Sequence, residues 1–194
     1  MTHEPHVVAI CGSLRDESTT RLALSHALAA ADDAGASTEL IDLRQYDLPV
    51  FDADDRDVGD AARLKAAVGS ADGVILGSPM YHGSYSGVLK NALDYLGSDE
   101  FEGATVGLLG VAGGSFPRTV LDHLRTVSRS VGAWTLPHQV AIPNASSQFE
   151  DGRIVDEALA ERVATLGTEV VDYAGLERFP AHRSDRATAA PVDD

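Results

Sequence analysis

Residues able to do chemistry appear early, in Ile10-Cys11-Gly12-Ser13-Leu14-Arg15-Asp16-Glu17-Ser18-Thr19-Thr20-Arg21. Here an apolar run gives way to a polar, hydroxyl-rich loop, and helical spacing of Leu22, Leu24, Ala27, Leu28 and Ala31 follows. Ser18, Thr19 and Thr20 therefore fall at a helix entrance, where unpaired backbone N–H groups and the helix dipole favour an anion. Ser13, Ser18 and Thr20 add hydroxyl donors, and Arg15 adds a guanidinium that grips phosphate in two places. The combination suits a monophosphate. A Walker loop needs a Gly-Lys-Ser/Thr ending and a dinucleotide fingerprint needs three glycines; this loop has no lysine and only Gly12. The plainer alternative is that Ser18 to Thr20 only cap the helix.

A second group of polar and aromatic residues fills Gly77-Ser78-Pro79-Met80-Tyr81-His82-Gly83-Ser84-Tyr85-Ser86-Gly87, and a third, small-residue group is Ala112-Gly113-Gly114-Ser115. A planar ligand needs an apolar or aromatic wall and a few fixed backbone donors, which Pro79, Met80 and Tyr81 can supply. His82 reads as a ligand-edge group or as a histidine satisfied by backbone. Gly113 and Gly114 either let a ligand approach the backbone or serve a turn that needs positive φ. Lys90, Asn91 and Asp94 look catalytic by type, but their place on the following helix suits surface, loop-support and subunit contacts. No Gly-x-Ser-x-Gly elbow is present, and His3, His6, His26, His123, His138 and His182 show no metal-ligand spacing. No metal is expected.

These loops need strands behind them. His6–Cys11 is a short β-branched run ended by glycine, as in a buried parallel strand. Further strands are expected at 37–43, 73–77, 105–111 and 133–142, the last bent around Pro137. Helices are expected at 61–68, around Val88 to Leu96, around Val120 to Val131, and from Ile154 to Leu176. Alternating β and α units with right-handed crossovers imply a parallel sheet covered on both faces. The expected fold is a flavodoxin-like three-layer α/β/α sandwich with a five-stranded parallel sheet ordered 2-1-3-4-5. In that order the loops after strands one, three and four meet at the crevice where flavin mononucleotide commonly sits.

Ser78-Pro79-Met80-Tyr81 followed by Gly87-Val88-Leu89-Lys90-Asn91-Ala92-Leu93-Asp94 resembles the NAD(P)H-dependent FMN reductase family, a group that includes quinone reductases and azoreductases. Gly12-Ser13-Leu14-Arg15 with Ser18 resembles that family's phosphate loop, Asp47-Leu48-Pro49-Val50-Phe51-Asp52 its loop after strand two, and Ala112-Gly113-Gly114-Ser115 its glycine-rich turn. The resemblance spans about residues 6 to 145. It implies that Ser13, Arg15, Ser18 and Thr20 hold the FMN phosphate, that Pro79, Met80, Tyr81, His82 and Gly83 line the isoalloxazine ring, and that Ala112, Gly113 and Gly114 approach it. The family often carries asparagine where Thr20 and His82 stand.

The implied function is an FMN-dependent oxidoreductase taking hydride from NADPH or NADH and passing it in a ping-pong cycle to a small electron acceptor: a flavin, quinone or azo compound. No catalytic side chain is required, because the cofactor carries the chemistry. The alternatives are a flavodoxin-like electron carrier, whose phosphate loop resembles Thr/Ser-x-Thr-Gly-x-Thr, and an FMN-binding sensor without turnover. Resemblance also implies a homodimer or homotetramer.

At 194 residues the chain suits a single domain over 1–178 with a polar, flexible tail over 179–194. No segment reads as a signal peptide or membrane span, so a cytoplasmic protein is expected. Cys11 is the sole cysteine, which excludes an internal disulfide or a cysteine-ligated cluster within one chain and reads as a buried core residue. Thirty acidic residues face fifteen basic ones, with Lys65 and Lys90 the only lysines. That balance argues against a nucleic-acid partner. It resembles proteins of salt-loving archaea and predicts a fold that needs high salt.

Overall fold

The structure is a computed structural model and describes residues 4–115 and 117–174. Five strands, β1 (His6–Cys11), β2 (Ser37–Asp42), β3 (Gly73–Pro79), β4 (Thr105–Val111) and β5 (Trp134–Ile142), pair in parallel in the order β2-β1-β3-β4-β5. Side chains alternate across each strand. Val8 and Ile10 of β1 therefore join one core while Val7, Ala9 and Cys11 join the other. The first core is covered by α2 (Ala61–Gly69), α3 (Gly87–Asp94), α4 (Ser98–Phe101) and α5 (Arg118–Ser130); the second by α1 (Thr19–Asp33) and α6 (Glu157–Tyr173). The buried stripe Ala23, Leu24, Ala27, Leu28 and Ala31 seats α1 on the sheet, and each fully buried leucine contributes about 1.5–3 kcal/mol of hydrophobic stabilisation.

The expected sandwich and strand order are those observed. Boundaries differ where side chains compete for the backbone. β2 ends at Asp42 rather than at residue 43, because the Asp42 carboxylate accepts from Arg44 N and turns Leu43–Gln45 into a 3-10 helix. β3 runs on through Ser78 and Pro79, which pair with Gly110 and Val111. The expected bend at Pro137 is a bulge: Thr135 faces Val106 and Gln139 faces Leu108, and Arg125 bridges the bulge by donating to Leu136 O and Gln139 Oε1.

The last helix does not start at Ile154. Phe149–Glu150 (β6) and Arg153–Ile154 (β7) form an antiparallel hairpin around Asp151 and Gly152, both at positive φ. The helix begins after it, capped by the Asp156 carboxylate accepting from Leu159 N at 2.8 Å. Leu176 and the expected tail over 179–194 lie outside the described residues, as do His3 and His182. Among the described residues no helix is long and apolar enough to cross a membrane.

Candidate functional site

The carboxyl ends of β1 and β3 open onto a cavity of about 610 Å³, within the size range of small-molecule sites. Its polar end is the loop between β1 and α1. Ser13, Ser18 and Thr20 are buried there, and Arg15, Asp16, Glu17 and Arg21 line the same space. Ser18 is the helix cap, its Oγ accepting from Arg21 N at 3.1 Å, so the plainer reading of that residue is correct as far as it goes. Ser13 Oγ likewise accepts from Arg15 N at 3.4 Å. A hydroxyl that accepts an amide proton still has its own proton to donate. Both serines are thus held with an O–H available to an anion, beside first-turn amides that have no intrahelical acceptor.

The loop is also held by its neighbours. Arg21 donates to the backbone carbonyls of Arg15, at 3.2 Å, and of Asp16. Asp42, buried at the end of β2, pairs with Arg44 through both carboxylate oxygens and lies 3.6 Å from Arg21 Nη1. Arg44 also reaches Asp16 Oδ1 at 3.2 Å. Hydrogen bonds from Arg44 hold the Asp42 carboxyl below its ordinary pKa against the opposing effect of burial. Beneath the loop, burial pushes the Cys11 thiol above its ordinary pKa, which keeps it protonated and unreactive, as expected of a core cysteine.

The apolar end is built by Pro79, Met80 and Tyr81, with Val111 and Gly113 opposite. Met80 N donates to Val111 O at 2.7 Å, which ties the two loops together. Tyr81 and Ser84 exchange backbone hydrogen bonds around His82 and Gly83, at φ 51° and 79°. This is a two-residue turn that needs positive φ at both centres, where glycine and asparagine are preferred. His82 and Gly83 therefore shape the turn that presents Tyr81, which is half exposed. From α5, His123 meets Ser84 Oγ through Nδ1 at 2.9 Å.

Ala112 is buried and stitched to β5, donating to Ile142 O and accepting from Ala145 N. Gly113 and Gly114 have no positive φ, and a Cβ on either would meet nothing within 4 Å. Neither a positive φ nor internal packing requires glycine at these two positions.

Of the residues singled out in sequence, Ser13, Arg15, Ser18, Thr20, Pro79, Met80, Tyr81 and Gly113 share the cavity, whereas His82, Gly83, Ala112 and Gly114 are chain neighbours of these lining residues. Ala145, Ser146 and Gly152 line it without having been expected. Gly152 is the tip of the β6–β7 hairpin and accepts a hydrogen bond from His26 Nε2 of α1 at 3.0 Å. Its Asp-Gly turn was the available signal. Lys90 and Asp94 pair one helical turn apart on α3. Asn91 supports the loop after β2, accepting from Phe51 N and donating to Leu48 O and Pro49 O.

Comparison with known proteins places this geometry. The family described as NADPH-dependent FMN reductase matches residues 5–147. An FMN-dependent NADPH-azoreductase of Staphylococcus saprophyticus is 38% identical over 113 residues, covering 57% of this chain and 60% of that enzyme. One of Staphylococcus aureus strain USA300 is 47% identical over 90 residues, covering 46% and 48%. The chain thus spans about half to three-fifths of the length of these curated relatives. The apo form of an NADH:FMN oxidoreductase superposes with a TM-score of 0.71 at 26% identity, over 91% of this chain and 92% of that one.

Proposed function

The chain belongs to the NADPH-dependent FMN reductase family, and from that premise we propose that it is an FMN-dependent NAD(P)H oxidoreductase acting on a small acceptor such as a quinone, an azo compound or a free flavin. The observation that carries this reading is the single cavity joining a hydroxyl-and-arginine loop to an apolar wall at the β1/β3 divergence. FMN fits both ends by chemistry: a phosphate for the loop, a planar ring for the wall. Bound there, FMN would supply the hydride-carrying chemistry between the nicotinamide and the acceptor.

The chain's own work is binding and orientation. Ser13, Ser18, Thr20 and Arg15 hold the phosphate, with Arg15 free of any ion pair among the described residues. Pro79, Met80 and Tyr81 wall the ring, while His82 and Gly83 fix the turn that carries Tyr81. Ala112 ties the turn after β4 to β5, and Gly113 and Gly114 leave open backbone over which a nicotinamide and then an acceptor can lie at near-attack distance. The protein acts as a homo-oligomer in the cytoplasm. Supporting an oligomer, Leu14 and Val50 stand 53% and 88% exposed on an apolar groove shared with Leu48 and Val88, beside the loop that holds the phosphate.

The test is the visible spectrum of FMN-reconstituted protein in high salt without oxygen, before and after NADPH or NADH. Rapid bleaching of the bound flavin band is expected. Bound flavin that stays oxidised with both donors would overturn the reductase reading in favour of a carrier or sensor.

A further inference from the structure

The cavity's anion end depends on a residue that does not line it. Arg21 and Arg44 arise from different elements, α1 and the turn after β2, yet both converge on the Asp42 carboxylate and both then reach the loop over 13–17. Arg21 binds two consecutive loop carbonyls, those of Arg15 and Asp16, and Arg44 binds the Asp16 side chain. Carbonyls engaged by Arg21 have their partial negative charge offset by its guanidinium, so they oppose a neighbouring phosphate less. The register places Asp42 beside Cys11, so the carboxylate sits on the rigid sheet directly next to the strand that feeds the loop.

We propose that Asp42 is a positioning residue for the phosphate site: through Arg21 and Arg44 it anchors the loop over 13–17 to the sheet, with the carbonyls of Arg15 and Asp16 held by Arg21. The charges balance in a way that makes this arrangement specific. Asp42 offsets Arg21, and Asp16 and Asp42 together engage Arg44, so the two arginines act as clamps on the loop while Arg15 is left to meet the ligand. Without the buried carboxylate, two cations crowd one corner, and Arg21 gains a reason to swing toward the phosphate and release the loop. This inference rests on the phosphate-loop reading of the proposed function.

The test is Asp42→Asn, which preserves shape and removes the charge, with Asp42→Glu as the charge-preserving control. Affinities for FMN and for riboflavin are measured by quenching of flavin fluorescence, and loop order by amide hydrogen exchange over residues 13–17 in the apoprotein. A positioning role predicts a loss of FMN affinity on the order of tenfold, as when the phosphate loses about one charge-assisted hydrogen bond. Riboflavin, which lacks the phosphate, should bind both proteins equally, and exchange over 13–17 should quicken. Asp42→Glu should recover part of the FMN affinity. Equal FMN affinity and unchanged loop exchange in Asp42→Asn would overturn the proposal, as would parallel losses for FMN and riboflavin, which mark a general structural role. If the unaltered protein binds no flavin, the functional reading fails by itself, and the apoprotein exchange still decides whether Asp42 holds the loop.

Discussion

Among single residues, Arg15 and Arg21 illustrate how neighbours of one charge divide their work. Arg21 is spent on carbonyls and on Asp42, whereas Arg15 is exposed at the cavity with its guanidinium unpaired among the described residues. Arg15→Ala should therefore weaken FMN binding by about tenfold or more, the value of one charge-assisted phosphate contact of roughly 1.5–3 kcal/mol, without lowering the melting temperature. An unchanged affinity in a folded variant would remove Arg15 from the phosphate site. His82 presents the opposite case, a residue conspicuous by type whose backbone explains it. Asparagine adopts its left-handed conformation more readily, so His82→Asn should raise stability by about 0.5 kcal/mol and leave FMN affinity within about twofold. A large loss of flavin binding would return His82 to the ligand.

Asp42 adds a pH dependence whose sign follows from its environment. Its folded pKa lies below the unfolded value of about 3.9, so its stabilising contribution is complete above about pH 4 and fades as pH falls through the folded pKa. The stability difference between the unaltered protein and Asp42→Asn, measured by denaturant unfolding, should be constant from about pH 5 to 8 and shrink in acid. A difference that keeps its size in acid would detach it from the carboxylate.

Between elements, the two halves of the site are joined by hydroxyls. Ser86 caps α3, its Oγ accepting from Leu89 N and donating to Gly12 O at 2.6 Å, while Ser86 N donates to Ser78 Oγ at the end of β3. The loop after β1 and the loop after β3 are thereby fixed to the same helix. Close approach there requires glycine at 12, since a Cβ would fall 2.8 Å from that of Leu89. Ser86→Ala removes a cap worth about 1 kcal/mol and strands a buried carbonyl and amide, so stability should fall by about 2–3 kcal/mol in denaturant titrations. A loss below about 0.5 kcal/mol would mean that water replaces the hydroxyl.

This coupling also explains what could be read from the chain and what could not. The strands were legible because β1, β3 and β4 are buried on both faces and so are continuous apolar runs. The polar loop opening α1 was legible because its hydroxyls sit at a helix start. The Ser78–Ser86–Gly12 connection was not, because it joins residues far apart in sequence by side chains common in any loop. The β6–β7 hairpin escaped because two-residue strands show no periodicity, although Asp151-Gly152 is a strong turn signal. The Asp42 network required three elements to be placed before its charges could meet.

For the whole molecule, charge is the dominant unusual feature. Fifteen basic residues can neutralise at most half of thirty acidic ones, leaving a net charge of −15. The ion pairs among the described residues concentrate on a few sites, with Arg44 serving both Asp16 and Asp42 and Arg21 also meeting Asp42, while Asp52, Asp54, Asp55 and Asp57 crowd one exposed loop. Two unscreened like charges about 10 Å apart in water repel by about 0.4 kcal/mol, and dozens of such pairs act together on a folded domain. Raising salt from 0.1 M to 1 M shortens the screening length from about 10 Å to about 3 Å and removes most of that repulsion. If a net 2–3 kcal/mol is recovered, the melting temperature should rise by about 4–12 °C between dilute and molar KCl. Screening saturates as the screening length falls below the charge spacing, so most of the rise should come before about 0.5 M. A melting temperature unchanged by KCl would show that the acidic surface is spread widely enough to be harmless, and would sink the expectation of a salt-requiring fold. A rise that continues linearly past 1 M would instead assign the effect to salt exclusion from apolar surface, which does not depend on the sign or number of charges.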